Sequence, residues 1–322
     1  MSCLRMIKTR MYQMKLAGGR NWTLGAMDEA GLWLDALASV MQLPECPVGT
    51  LPDLLFVLRH DGSPADDEPT VLNPVPPGFP SCREWRARAC PGLVFYSHPR
   101  VPQIVCCLAN GYGPRFPMEQ MRRSLLPVFE GELGTGGTPV HAALVTHDKG
   151  AALLAGKSGA GKSTCCRRLP QTWEVLSDDM ALVSRAPDGT YNVHPVPTWS
   201  AIEDFRIRQS WPVNRYVSLR AIFFIEKADR DEVLPLRRAT ASVGLYDSSS
   251  VCFETMSGRY NHPEGLPYRK QVFANAASLA AAVPAYRLNV SLTGRFWEKI
   301  EEVLEKGDSP LFCEQGVSAH GA

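Results

Sequence analysis

Gly156-Lys157-Ser158-Gly159-Ala160-Gly161-Lys162-Ser163 follows the spacing G-x-x-x-x-G-K-[ST], and its neighbours supply the setting such a loop needs. Upstream, Ala151-Ala152-Leu153-Leu154-Ala155 is a short apolar run that reads as a buried strand. Downstream, Thr164-Cys165-Cys166-Arg167-Arg168-Leu169 reads as a helical turn and a half. Glycines let a backbone curl until successive N–H groups point at phosphate oxygens, and the following helix adds the positive end of its dipole. Lys162 would then reach the β and γ phosphates, and the Ser163 hydroxyl would ligate Mg²⁺, with Gly156, Lys157, Ser158, Gly159, Ala160, Gly161, Lys162, Ser163 and Thr164 as the cradle. The alternative is a Gly/Ser-rich turn with a chance lysine, and the flanking strand and helix weigh against it. The stretch predicts binding of a nucleoside triphosphate.

Working outward, the chain of 322 residues has room for two ordinary domains or one large one, and its 45% hydrophobic and 21% charged content is that of a globular protein with a sizeable core. A formal net charge of +1, without any Lys/Arg block, gives no electrostatic case for nucleic acid. No apolar run approaches a membrane span, and Met1-Ser2-Cys3-Leu4-Arg5-Met6-Ile7-Lys8 carries charges where a secretory signal needs an apolar stretch. The ten cysteines are scattered, without a C-x-x-C unit, and fit reduced thiols better than a disulfide scaffold or zinc site. Together with the nucleotide reading, this points to the cytoplasm.

The periodicities predict an N-terminal α+β module over residues 1–110. It has a strand within Met6–Leu16, a helix over Asp28–Leu43 with Leu32, Leu34, Leu37, Val40 and Met41 on its apolar side, and strands at Leu54–Leu58, Leu93–Tyr96 and Gln103–Leu108. Asp61–Pro80 is rich in Pro, Gly and Asp and reads as a loop. Residues 111–139 read as a connector, with one helix over Pro117–Phe129 and a glycine-rich break over Gly131–Gly137. Residues 140–310 form the nucleotide-binding unit. Its strands are expected at Ala142–Thr146, Ala151–Ala155, Glu174–Ser177, Ala181–Ser184, Tyr191–His194, Arg220–Ile225 and Tyr286–Val290, and its helices at Lys270–Ala282 and Phe296–Leu304. Pro187-Asp188-Gly189 is a hairpin turn. Residues 311–322 are a frayed tail.

Ser177-Asp178-Asp179 is the second informative element. It follows the apolar strand Trp173-Glu174-Val175-Leu176, one helix downstream of the loop. The carboxyl end of a strand beside such a loop is where ligands meet in α/β folds. One carboxylate there can hold Mg²⁺ and the other can take a proton from an attacking hydroxyl. A surface Asp-Asp turn is the competing reading. His141 reads, from its position alone, as a strand-end histidine capping a turn, and His147 as a surface residue. Arg167 and Arg168 could neutralise phosphate, although solvated helix arginines are commoner.

The segment from His141 through Asp179 resembles the catalytic domain of HPr kinase/phosphorylase, a family grouped with the phosphoenolpyruvate carboxykinase-like phosphate-loop proteins. The residues that carry the likeness are His141, the Gly156–Ser163 loop and Asp178-Asp179, with the loop-to-acid spacing about one residue short. The resemblance implies an α/β fold: a kinase core of mixed sheet with flanking helices, plus the smaller N-terminal α+β domain. It implies ATP and Mg²⁺ as cofactors, Lys162 and Ser163 on phosphate and metal, one of Asp178 and Asp179 as general base with Asp178 also a metal ligand, and His141 near the γ-phosphate. Glu203 falls where the family supplies a further metal carboxylate; read alone, it is an exposed acid starting a helix. Two departures stand out. The family's Gly-Met-Asn-containing substrate loop has no counterpart, its place being taken by Trp199–Phe205 and Trp211-Pro212-Val213, and the N-terminal module does not resemble the usual regulator domain.

Pro197-Thr198-Trp199-Ser200, Trp211-Pro212-Val213, Ala221–Glu226 and Gly294-Arg295-Phe296-Trp297 look similar to HPr kinase-related proteins of the SynChlorMet cassette, encoded beside radical-SAM enzymes. The likeness implies a kinase that phosphorylates Ser or Thr of a protein or short precursor peptide, with radical-SAM maturation enzymes as partners and an oligomeric state in keeping with the parent family. The rival expectation is an ATP-binding accessory module that holds a peptide or partner enzyme without phosphoryl transfer.

Overall fold

The computed structural model describes residues 10–306 except 28, 48–51, 59–74, 77–78, 81–83, 110–115, 149, 202–208 and 258–259. The expected loop at Asp61–Pro80 lies almost wholly outside the described residues, as do the module boundary near residue 110, Glu203 and the tail 311–322.

The chain builds two mixed sheets. The first collects β1 (Met11–Lys15), β2 (Asn21–Ala26), β3 (Glu45–Cys46), β4 (Leu54–Leu58), β5 (Arg86–Cys90), β6 (Leu93–His98) and β7 (Val101–Leu108) in the order β3-β1-β2-β4-β7-β6-β5. Only β2–β4 and β4–β7 run parallel. The helix α1 (Ala30–Met41) crosses between β2 and β4 and packs Trp33 against Phe56, ring centroids 4.8 Å apart. Its buried side is Ala30, Trp33, Leu34, Leu37, Ala38, Val40 and Met41, whereas Leu32, expected on that side, is 80% exposed. Ala30 and Trp33 complete the i, i+3, i+4 stripe in its place.

A proline decides the connector. The single helix expected over Pro117–Phe129 is two, α2 (Phe116–Ser124) and α3 (Leu126–Gly134), with Pro127 in the first turn of the second. Proline has no N–H to continue the ladder and its ring collides with the preceding turn, but it is at home where a helix begins. The glycine-rich break also shrinks, because Gly131 and Gly134 lie inside α3. At Gly131 a Cβ would stand 2.8 Å from the Trp22 ring, so the missing side chain lets α3 approach the first sheet.

The second sheet contains β8 (Thr138–Val140), β9 (Ala142–His147), β10 (Gly150–Ala155), β11 (Glu174–Ser177), β12 (Met180–Arg185), β13 (Tyr191–Val196), β14 (Val217–Lys227), β15 (Glu232–Pro235) and β16 (Ala285–Val290). The long β14 is its spine. Its start pairs with β13, leading to the antiparallel group β13-β12-β8, and its remainder lies between β10 and β16, parallel to both. Beyond β10 come β9 and β11, each antiparallel to its neighbour. Helices cover both faces. α5 (Arg238–Ser257) and α6 (Leu266–Ala282) bury Leu245, Ala276 and Leu279 on one; α4 (Lys162–Arg168) and α7 (Phe296–Glu305) bury Cys165, Phe296 and Ile300 on the other. β10 reads as unbroken apolar sequence because it is covered on both sides.

The two sheets share a core. Leu34, Leu37 and Met41 of α1, Met121 and Phe129 of the connector, Trp199, Trp211 and Val213, and Phe253 and Met256 of α5 belong to one buried cluster. Backbone bonds close the seam: Trp211 N–H donates to Val40 O at 2.8 Å and Val213 N–H to Met41 O at 3.2 Å, using carbonyls at the end of α1. No helix among the described residues is long and apolar enough to cross a membrane.

Candidate functional site

β10 ends at Ala155 and the chain turns through Gly156–Gly161 into α4. Gly159 (φ 77°) and Gly161 (φ 110°) take left-handed conformations that a Cβ would strain. The turn is closed by Ala160 N–H to Lys157 O at 3.0 Å, and α4 begins with Cys165 N–H to Gly161 O at 2.8 Å. Register then brings other residues to the same edge. Ala155 pairs with Ala142, which sets His141 beside the start of the loop. β11 runs antiparallel to β9 and so delivers Asp178 and Asp179 to the same end. β14 and β16, parallel to β10 or its neighbour, end there too, at Lys227 and Val290. This is the carboxyl-end crevice in which α/β sheets bind ligands.

Lys162 is buried, and its ammonium donates to Gly156 O at 2.8 Å and lies 2.9 Å from His141 Nε2. With Nε2 accepting from the ammonium, the neutral ring carries its proton on Nδ1, which faces Asp179 Oδ1 at 3.4 Å. Burial first and the Lys162 charge second hold the His141 imidazole below its ordinary value, against the opposing pull of Asp179. Burial likewise lowers Lys162, again opposed by Asp179. Asp178 accepts a hydrogen bond from the Thr198 hydroxyl, which fixes one of its oxygens. Below them Cys252 is buried, and desolvation, then Asp179, push its thiol far up, so it stays a neutral packing group.

Two clefts open on either side of the loop. The first, about 730 Å³, runs from Ser158–Thr164 past Asp178 and Asp179 to the residues after β14 and β16. The second, about 600 Å³, lies between the loop and α5, reaching Gly244, Asp247 and Val251. His141 and Lys227 line both. Cavities of this size suit a small-molecule ligand.

The structure thus gathers His141, Gly156–Thr164, Asp178 and Asp179 in one place, with Ser163 and Thr164 exposed to the first cleft. Glu203 lies outside the described residues. Among the described residues no three His, Cys, Asp or Glu side chains gather as a metal site. A hard cation that keeps waters and takes phosphate oxygens needs only one or two protein oxygens, and Ser163 with Asp178 fits that limited donor set.

Arg168 matches neither expectation. Its guanidinium donates to Ser291 O at 2.7 Å and to Gly294 O, and stacks over Phe296, so it is a strut between α4 and the turn after β16. Arg167 is exposed and bonds Thr164 Oγ1 at 3.3 Å. His147 is not a surface residue: its side chain is 11% exposed and its ring lies 5.0 Å from that of Trp173. The cysteines described are all free thiols.

Sequence reasoning missed Thr198, which bonds Asp178, and the lining residues Lys227, Asp229 and Leu292. Lys227 ends β14, Asp229 follows it, and Leu292 follows β16 beside β14; applying the strand-end rule to every strand, not only to β11, would have found them. Asp247 carried no signal, because α5 was not foreseen.

Fold and site define an α/β protein in which a glycine-rich strand–loop–helix turn carries a buried lysine into a cleft of acids and histidine. The family model described as SynChlorMet cassette protein ScmC matches residues 104–305. The chain belongs to that family. Comparison with curated proteins finds no match.

Proposed function

We propose that the chain is an ATP- and Mg²⁺-dependent kinase of the HPr kinase-like kind, transferring the γ-phosphoryl group to a Ser or Thr hydroxyl of a protein or short precursor peptide. The observation that carries the reading is the convergence of Lys162, His141 and the Asp178-Asp179 pair at the mouth of the Gly156–Ser163 loop. Bound Mg²⁺ would supply charge neutralisation between the phosphates.

The protein's part is positioning and electrostatics. Loop N–H groups hold phosphate oxygens, and Lys162 exchanges its bonds to Gly156 O and His141 for phosphate. The bonding supports a division of labour between the acids. Asp178, steadied by Thr198, would hold the metal with its remaining oxygen, while Asp179 receives the acceptor's proton as the hydroxyl oxygen bonds to phosphorus and the bond to the leaving diphosphate breaks. His141, with its Nδ1–H towards Asp179, orients that carboxylate.

Purified protein, γ-labelled ATP, Mg²⁺ and the short peptides encoded by neighbouring genes test the reading. Label on a peptide hydroxyl, absent with Lys162→Ala, is the expected result. Saturable ATP binding without transfer to any offered peptide supports the accessory module instead, and absence of ATP binding rejects both.

A further inference from the structure

The turn after β16 is built more firmly than a connecting loop requires, and it holds one apolar side chain in water. Ser291 N–H donates to Asp231 Oδ1 at 2.6 Å, and Gly294 N–H to Ser291 Oγ at 2.9 Å. Arg168, reaching from α4, ties the carbonyls of Ser291 and Gly294. At Gly294 a Cβ would stand 1.9 Å from Asp231 Oδ2, so only glycine lets that carboxylate close against the turn. Leu292 is nonetheless 92% exposed, at the mouth of the first cleft. A leucine on a mobile tip needs no explanation; one pinned by bonds from three directions beside a candidate site has a fixed place to offer.

We infer that the Val290–Leu292 turn is the nucleoside subsite, with the Leu292 side chain lying on the base of the bound triphosphate. This rests on the nucleotide reading of the Gly156–Ser163 loop and goes beyond it by naming where the base goes. Direction comes from the lining: Ser163 and Thr164 border the first cleft and not the second, so a phosphate chain leaving the loop past Ser163 runs towards Val290 and Leu292. Chemistry agrees, because Val290, Cys165 and Ala228 give that end an apolar floor, and the flat face of a base is the part of a nucleotide that gains from apolar contact. Arg168 is then a positioning residue, coupling the helix after the loop to the turn that meets the base.

Calorimetric titration of the full chain with Mg²⁺–ATP and, separately, with Mg²⁺–tripolyphosphate separates base from phosphate. Leu292→Ala is expected to weaken ATP about fivefold and leave tripolyphosphate unchanged. Leu292→Trp is expected to bind ATP at least as tightly as the parent, with tryptophan emission quenched by ATP and not by tripolyphosphate. Unchanged ATP affinity in Leu292→Ala, or equal weakening of both ligands, overturns the subsite. If the parent binds tripolyphosphate as tightly as ATP, the loop reading stands and the base subsite falls. If the parent binds neither, the loop reading falls and takes the subsite with it.

Discussion

In the first sheet and the elements packed on it, charged side chains close structural bonds. Asp53 accepts the Thr23 N–H at 2.7 Å, Asp35 takes the Tyr12 hydroxyl at 2.8 Å, and Arg88 of β5 forms a forked pair with Glu130 of α3. At the carboxyl edge of the second sheet the charges instead face a cleft, and their mutual bonds can be exchanged for a ligand's. Lys162 holds only carbonyls and an imidazole, and Asp179 has no bond shorter than its 3.4 Å approach to His141 among those described. Both sheets place strand ends beside helices. What separates them is that β10, β14 and β16 finish together next to an open glycine turn, whereas in the first sheet α1 packs on β4 through Trp33 and Phe56 and is itself bonded at its end to the Trp211–Val213 segment. A scaffold and a site can thus be told apart by whether polar groups are satisfied within the fold.

Asp179→Asn breaks the comparison most directly. It should lower peptide phosphorylation about a hundredfold or more while ATP affinity changes little. Turnover near that of the parent would mean that this carboxylate is as structural as Asp53. Phe253→Ala asks whether the contrast is one of regions within a single cooperative unit. Phe253 is fully buried in the shared core, stacked with Tyr260 at 5.8 Å. Its loss should cost about 3–5 kcal/mol, shifting one calorimetric transition; two transitions, one of them unmoved, would show that the sheets unfold independently.

His194 tests the seam by pH. Its Nε2 accepts the Ala17 N–H at 3.0 Å and its Nδ1 donates to Val213 O at 2.7 Å, so only the neutral ring fits. Burial lowers its pKa to about 4, against an ordinary 6.5. The unfolded chain therefore binds the extra proton first as pH falls. Stability is fully present above 6.5 and is lost progressively down to the folded value, about 3 kcal/mol in all. Denaturant melts of the parent and His194→Gln between pH 7 and pH 4 should differ in slope, and parallel curves would refute the assignment. The smallest effect is expected at Leu32→Lys, within about 0.5 kcal/mol because Leu32 packs on nothing that a lysine would disturb. A loss of several times that would mean that the exposed side of α1 is covered by something.

Legibility followed how local the physics was. The Gly156–Ser163 loop, its strand and its helix were readable because a glycine pattern, an apolar run and their order are properties of adjacent residues. β4, β11 and the hairpin at Pro187–Gly189 were readable for the same reason. α5 was not. Arg238–Ser257 mixes serine, threonine and valine with a glycine, an arrangement of poor intrinsic helicity, and it is helical because α6 and the second sheet cover it. Gly244 shows the dependence, since a Cβ there would stand 2.6 Å from the Phe224 ring. β2 and β5 were missed although both alternate: Asn21–Ala26 sets Trp22, Leu24 and Ala26 against polar residues or glycine, but the run is short, and Arg86–Cys90 offers only two alanines and a cysteine beside its arginines.

A glycine loop ending in Lys162-Ser163, an acid pair one helix later and enough apolar strand to build a sheet around them are all written in the order of residues along the chain. Which groups meet was decided only by the tertiary structure. His141 reaches Lys162 because β9 and β10 pair Ala142 with Ala155; Arg168 becomes a strut because β16 ends beside α4; Leu292 stays in water because Asp231 and Gly294 lock its turn. The physical reason is that backbone propensity is a local energy, whereas a side chain's partners are set by strand register and helix packing between segments far apart in the chain.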